Sequence, residues 1–225
     1  MSEEKDRKPS PDDDVYPSKR LDLTLPTNGG VSFVLCGASR SGKSTLMKYL
    51  YKTYFASHVT VMFSQNLHTD IYKNMSSKII VADEYYPEIL QESHHINSEC
   101  ANKYPICIIS DDIVSNKIKN DMEITRLMTI YRNANMSSIL SFQGRVLINS
   151  VGRNQANYVF IFKQQTPKEY TNIIKDYLDG WLPQGLTMQE RIRWCMVAFQ
   201  EHQFMVLDNI KGEAYISKLL PDQLE

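Results

Sequence analysis

Gly37, Ala38, Ser39, Arg40, Ser41, Gly42, Lys43 and Ser44, followed by Thr45, have the residue types and spacing of a phosphate-binding loop. Gly37 and Gly42 let the backbone curl with no Cβ in the way, so successive N–H groups point inward at phosphate oxygens. A helix that starts at the end of the loop adds the positive end of its dipole. Lys43 then reaches the β- and γ-phosphates of ATP, and the Ser44 hydroxyl ligates Mg²⁺. A Gly/Ser-rich turn can match such a pattern by accident, but both flanks agree with the loop. The apolar run from Val31 to Cys36 precedes it, and Leu46, Tyr49, Leu50 and Tyr54 follow at helical spacing. The motif therefore sits at a strand-to-helix junction.

Further chemistry is sought where other apolar runs end. Pro105 to Ser110 is a continuous apolar run closed by Asp111 and Asp112. A carboxylate at the end of a buried strand, here Asp111, can hold Mg²⁺ opposite Ser44. Its neighbour Asp112 can polarise a water for in-line attack on the γ-phosphate. An Asp pair that merely caps a turn is the competing reading. Gln143 comes one strand later, at the end of Ser137 to Phe142, where an amide could touch both the γ-phosphate and the attacking water. Arg132 and Arg153 are the two arginines beside the expected catalytic edges, and either could serve as a finger on a neighbouring subunit's phosphate. Surface arginines with no such role are commoner. His94, His95 and Cys100 lack the paired spacing of a zinc site and read as solvated loop residues.

The elements that must position these groups are legible in outline. Leu21 to Leu25 alternates and predicts a short strand, closed by a turn from Pro26 to Gly30. His58 to Ser64 and Lys78 to Ala82 read as buried strands, and the Asn-, Ser- and His-rich stretches between and after them have poor periodicity. Ile124, Leu127, Met128 and Tyr131 mark an amphipathic helix before a strand over 137–142, and Tyr158 to Phe162 is the next strand. Thr166 and Glu169 form a capping box with Pro167 at the first helical position, and Gly180 lies past that helix. Thr187 and Glu190 open a second helix the same way. Two short strand-like runs, around Phe204 to Leu207 and Ala214 to Ile216, close the chain. Strands alternating with helices predict a three-layer α/β domain of RecA/ASCE-like P-loop type with a mainly parallel central sheet. Ligands of such sheets bind at the carboxyl ends of the strands.

A chain of 225 residues fits one such domain over 21–225. Residues 1–20, built of charge, Pro and Ser, are expected to form a disordered tail. No apolar run is long enough to cross a bilayer and no signal segment opens the chain, so a membrane partner is not expected. The four cysteines show no CxxC spacing, which implies no disulfide framework and fits a reduced compartment. With 25 Lys and Arg against 26 Asp and Glu, composition gives no support for a nucleic-acid partner.

Taken in order, GASRSGKST, ICIISDD, a helix ending YRN, SSILSFQ and VGRNQANYVFIF resemble the FtsK/HerA branch of P-loop ATPases. Within it they are most similar to the DNA-packaging ATPases of large double-stranded DNA viruses and virophages. The resemblance spans roughly Ser32 to Lys163, and the spacing of Arg132 to Gln143 with the Arg153-Asn154 element narrows it beyond the general P-loop and Asp pair. It implies a homo-oligomeric ring that threads double-stranded DNA into a capsid, a capsid or portal partner, and a place in the host cytoplasm or virus factory, with association with the virion as the alternative. Cellular relatives commonly carry Glu as the second acid, so Asp112 departs from the pattern. A nucleotide kinase or a nucleotide-binding scaffold without turnover would also carry the loop. A GTPase is disfavoured because Asn116-Lys117-Ile118-Lys119 lacks the Asp that would read guanine.

Overall fold

The structure, a computed structural model, describes residues 16–65, 72, 75, 79–111, 121–143, 148–199 and 202–223. Eight strands form one sheet: β1 (Ser32–Cys36), β2 (Val59–Ser64), β3 (Ile79–Ala82), β4 (Ile106–Asp111), β5 (Met136–Phe142), β6 (Tyr158–Phe162), β7 (Phe204–Asp208) and β8 (Glu213–Ser217). Their spatial order is β3-β2-β4-β5-β1-β6-β7-β8. The first six in that order run parallel, and β7 and β8 continue the sheet as an antiparallel pair. Among the described residues six α-helices pack around it: α1 (Lys43–Leu50), α2 (Pro87–Glu99), α3 (Met122–Met128), α4 (Ser150–Arg153), α5 (Pro167–Ile173) and α6 (Met188–Ala198). The expected three-layer α/β architecture is the one found.

Helices on both faces explain why β1, β4 and β6 read as near-continuous apolar runs rather than alternating ones. On β1, Phe33 and Leu35 join Leu46, Met47 and Leu50 of α1 in one core, while Val34 and Cys36 join Leu90 of α2 and Ile124, Leu127 and Met128 of α3 in the other. The predicted helix around Leu127 is α3, with Asp121 as its N-cap, and Tyr131 follows in a short 3₁₀ turn. Both predicted capping boxes are present at α5 and α6.

Several expectations are corrected. Leu21 and Leu23 are buried and Asp22 and Thr24 exposed, so the alternation was real, but no strand forms there. Burial of side chains sets the period, whereas a strand also needs a partner edge. β3 is an edge strand, with Ile80 and Val81 about half exposed, not a buried one. The stretch around His94 is the 13-residue helix α2, not a loop. His94 stacks on Tyr131 at 4.1 Å between ring centroids, and His95 pairs with Glu99 at 3.4 Å. Among the described residues no group of three metal-binding side chains occurs. Residues 16–20, expected as the end of a tail, lie against the domain. Ile216 N donates to Pro17 O and Lys19 N to Ile216 O, which covers part of the β8 edge, and Tyr16 packs edge-on against Trp194. Residues 1–15 lie outside the described residues. No helix among those described is long and apolar enough to cross a membrane.

Candidate active site

The loop between β1 and α1 is fastened to the strands on either side of it. Gly37 N donates to Phe142 O of β5 at 3.2 Å, and Ala38 N donates to the Lys163 carbonyl just past β6 at 3.0 Å. A Cβ on Gly37 would stand 2.5 Å from Phe162 Cβ, so this close approach to β6 requires glycine. Gly42, the N-cap of α1, has φ of +102°, a left-handed turn that L side chains rarely adopt. Beyond it, Lys43 is buried, and its ammonium donates to the carbonyls of Gly37 at 3.0 Å and Ala38 at 2.8 Å. The cradle is thus pre-shaped and held by its own lysine. Ser41 Oγ is buried with no hydrogen-bond partner. Such an orphaned hydroxyl in the loop fits a phosphate oxygen as its partner.

Across the sheet, Ser44 Oγ donates to Asp111 Oδ2 at 3.2 Å. Asp111 is the last residue of β4 and only 2 % exposed. A hydroxyl and a carboxylate in mutual contact are hard oxygen donors on one side of the loop, the donor set that suits Mg²⁺. The loop and the Asp111 strand are not neighbours in the sheet. β5 lies between them, and Gln143 directly follows Phe142, the residue whose carbonyl fastens Gly37. The exposed Gln143 amide is therefore carried at the strand end that separates the phosphate cradle from the acid. Asp112 lies outside the described residues.

The two arginines are placed differently. Arg132 precedes β5, at the amino-terminal edge of the sheet, and the seven residues of β5 span about 20 Å to the loop end. Its guanidinium donates to Asn157 Oδ1 at 3.0 Å, to Gln155 O at 3.3 Å and to Gln155 Oε1 at 3.2 Å. Burial lowers its pKa from the ordinary arginine value. Since Asn157 Oδ1 also accepts from Ser32 N, Arg132 joins the starting edges of β5, β6 and β1. Arg153, at the end of α4, pairs with Asp176 at 3.2 Å and donates to Ile148 O at 3.1 Å. Both arginines are engaged within the chain, and Asp176, the partner of Arg153, lies within electrostatic reach of Cys36, the residue before the loop.

Tyr72 is a site residue that sequence reasoning missed: its hydroxyl donates to the same Asp111 oxygen that accepts from Ser44. It follows no apolar run and belongs to no motif, so no local signal marked it.

The fold is the three-layer α/β type of P-loop NTPases, with the loop at the β1–α1 junction. Similar solved structures include the genome-packaging NTPase B204 of Sulfolobus turreted icosahedral virus 2 in complex with AMP, at 19% identity over 87% of this chain and 100% of that one, TM-score 0.59. The DNA-packaging ATPase B204 of Sulfolobus turreted icosahedral virus matches at 19% identity over 86% and 100%, TM-score 0.60. The pCW3 conjugation coupling protein TcpA, solved with ATPγS, matches at 10% identity over 86% of this chain and 61% of that one, TM-score 0.54. At such identities the likeness is one of fold. No protein-family model matches the chain, and no curated protein does.

Proposed function

We propose that this protein is an ATP-hydrolysing translocase that packages viral double-stranded DNA into a capsid as a homo-oligomeric ring. The observation that carries the reading is the pairing of Ser44 with Asp111 at 3.2 Å beside a loop closed on Lys43, with Gln143 on the strand between them. Its likeness in fold and extent to packaging ATPases, along most of both chains, supports the choice of motor over kinase or scaffold.

In this reading the Lys43 ammonium exchanges the Gly37 and Ala38 carbonyls for β- and γ-phosphate oxygens, while the loop N–H groups and Ser41 hold the rest of the chain of phosphates. Ser44 and Asp111 would hold Mg²⁺, which when bound would supply charge neutralisation at the phosphates. Asp112 is assigned to orient and deprotonate the attacking water, and Gln143 to sense the γ-phosphate. An arginine from a neighbouring subunit completes the charge stabilisation, a contribution of about 10³ to 10⁵ in rate in related chemistry. Arg153 has the fewer intrachain bonds to break and is the preferred finger, with Arg132 as the second candidate. A net charge of −1 means that one subunit holds DNA weakly, whereas basic side chains repeated around a pore would grip it in a salt-sensitive, sequence-independent way. A soluble factor of the host cytoplasm or virus factory, docking on a capsid or portal component, follows from the same reading.

The test is ATP turnover per subunit against protein concentration, with and without duplex DNA. Rate per subunit rising with both is expected. Mixing an Arg153→Ala or Arg132→Ala subunit with a Lys43→Ala subunit should restore activity at shared interfaces. Flat rates and no complementation by either arginine variant overturn the motor.

A further inference from the structure

Ser44, Asp111 and Gln143 all lie on the β5 and β4 side of the loop, so the metal-bearing end of a bound nucleotide points that way. Its nucleoside must then leave the loop on the other side, toward β6 and the β7–β8 hairpin. A cavity of about 300 Å³ opens there, floored by Ser41, Gly42 and Thr45. That volume is at the lower end of the range, about 300 to 1,000 Å³, usual for small-ligand sites. Its walls are Phe162, Phe204 and Leu219, with His202 at the rim. Phe162 ends β6, Phe204 begins β7, and the two are paired across the strands with ring centroids 5.0 Å apart.

A second cavity of about 400 Å³ adjoins the first through Ser41 and His202, and Gln164 lines it. Gln164 is 3 % exposed, and its Nε2 donates to Phe162 O at 2.7 Å. Its Oε1 has no partner. A buried acceptor left unmatched is costly unless a ligand satisfies it, and nucleosides carry hydroxyl and amine donors. Apolar walls beside the α-phosphate end of the loop, joined to an unmatched buried acceptor, are the chemistry of a flat heteroaromatic ring attached to a sugar.

We infer that the β6–β7–β8 side of the domain is the nucleoside subsite, with the base in the slot walled by Phe162, Phe204 and Leu219. This rests on the phosphate-loop reading and assigns the carboxyl-terminal hairpin a direct part in binding. Leu219 is only partly buried, so Leu219→Trp fills the slot from its open side. Calorimetry on the full chain compares Mg-ATP with Mg-tripolyphosphate, which has the phosphates and no nucleoside. Leu219→Trp should weaken ATP tenfold or more and leave tripolyphosphate unchanged. ATP binding unaltered, or both ligands weakened alike, overturns the subsite. Failure of the phosphate loop itself looks different: neither ligand binds the unsubstituted chain. Photolabelling of that chain with 8-azido-ATP is independent of any substitution. Tryptic peptides 154–163, 194–211 or 219–225, which carry Phe162, Phe204 and Leu219, should bear the label, and labelling confined to other peptides overturns the inference.

Discussion

Replacing Lys43 with methionine keeps the aliphatic stem and removes the ammonium, which separates packing from charge. In the ligand-free chain that ammonium donates to two loop carbonyls, at 3.0 and 2.8 Å. A hydrogen bond from a charged donor contributes about 1.5 to 3 kcal/mol. The two share one donor group, and the Ala38 carbonyl lies close enough to solvent for water to replace part of the loss, so about 2 kcal/mol is the expected sum. For a domain of this length about 2 to 4 °C of Tm accompanies each kcal/mol, which gives a fall of about 4 to 8 °C. Binding should suffer separately, because the same ammonium is assigned to the β- and γ-phosphates. Loss of that charge-assisted contact should raise the ATP Kd about 10- to 100-fold. Thermal melts with and without Mg-ATP, together with calorimetry, read both effects. An unchanged melt of the ligand-free variant refutes the lysine as the tie of the empty loop, and an unchanged ATP affinity refutes the phosphate site.

Asp111→Asn should reduce Mg²⁺-dependent ATP binding and hydrolysis together, whereas Asp112→Asn should keep binding and lose about 10²-fold or more in turnover, measured as steady-state phosphate release. Normal hydrolysis by Asp112→Asn removes it as the base. Arg132→Ala should lower Tm with or without nucleotide, because it unfastens three strands, while a pure finger role would leave the melt unmoved; the comparison with Arg153→Ala is made on the same melts. His58 supplies a pH test. Burial lowers its pKa, its Nδ1 has no partner and its ring sits edge-on to Phe55 at 5.1 Å. The unfolded chain therefore binds the extra proton first, at about pH 6.5, so stability should be full above that pH and fall as pH drops through it. Urea midpoints across pH 5 to 8 should show this slope, and His58→Gln should flatten it; equal slopes would exclude His58 as the source.

By itself the chain determined whatever depends on neighbours a few residues apart. The loop from Gly37 to Ser44 is local because its chemistry is backbone curvature and the start of one helix. The capping boxes at Thr166 and Thr187 are local for the same reason, and so are the continuous apolar strands ending at Asp111 and Phe162. Tertiary structure decided what meets what. That β5 lies between the loop strand and the Asp111 strand is a pairing of distant segments, and with it comes the placement of Gln143. The occupation of Arg132 by Gln155 and Asn157 depends on residues more than 20 positions away. α2 was hidden because its polar face dilutes the periodicity, with only Leu90 and Asn97 fully buried along its length. Leu21 and Leu23 show the converse: a two-residue period with no edge to pair with stays coil. Tyr72, Gln164 and Phe204 reach the site only because segments distant in sequence from the loop are brought beside it, and a side chain that gains its role from such an arrangement leaves no pattern in the residues beside it.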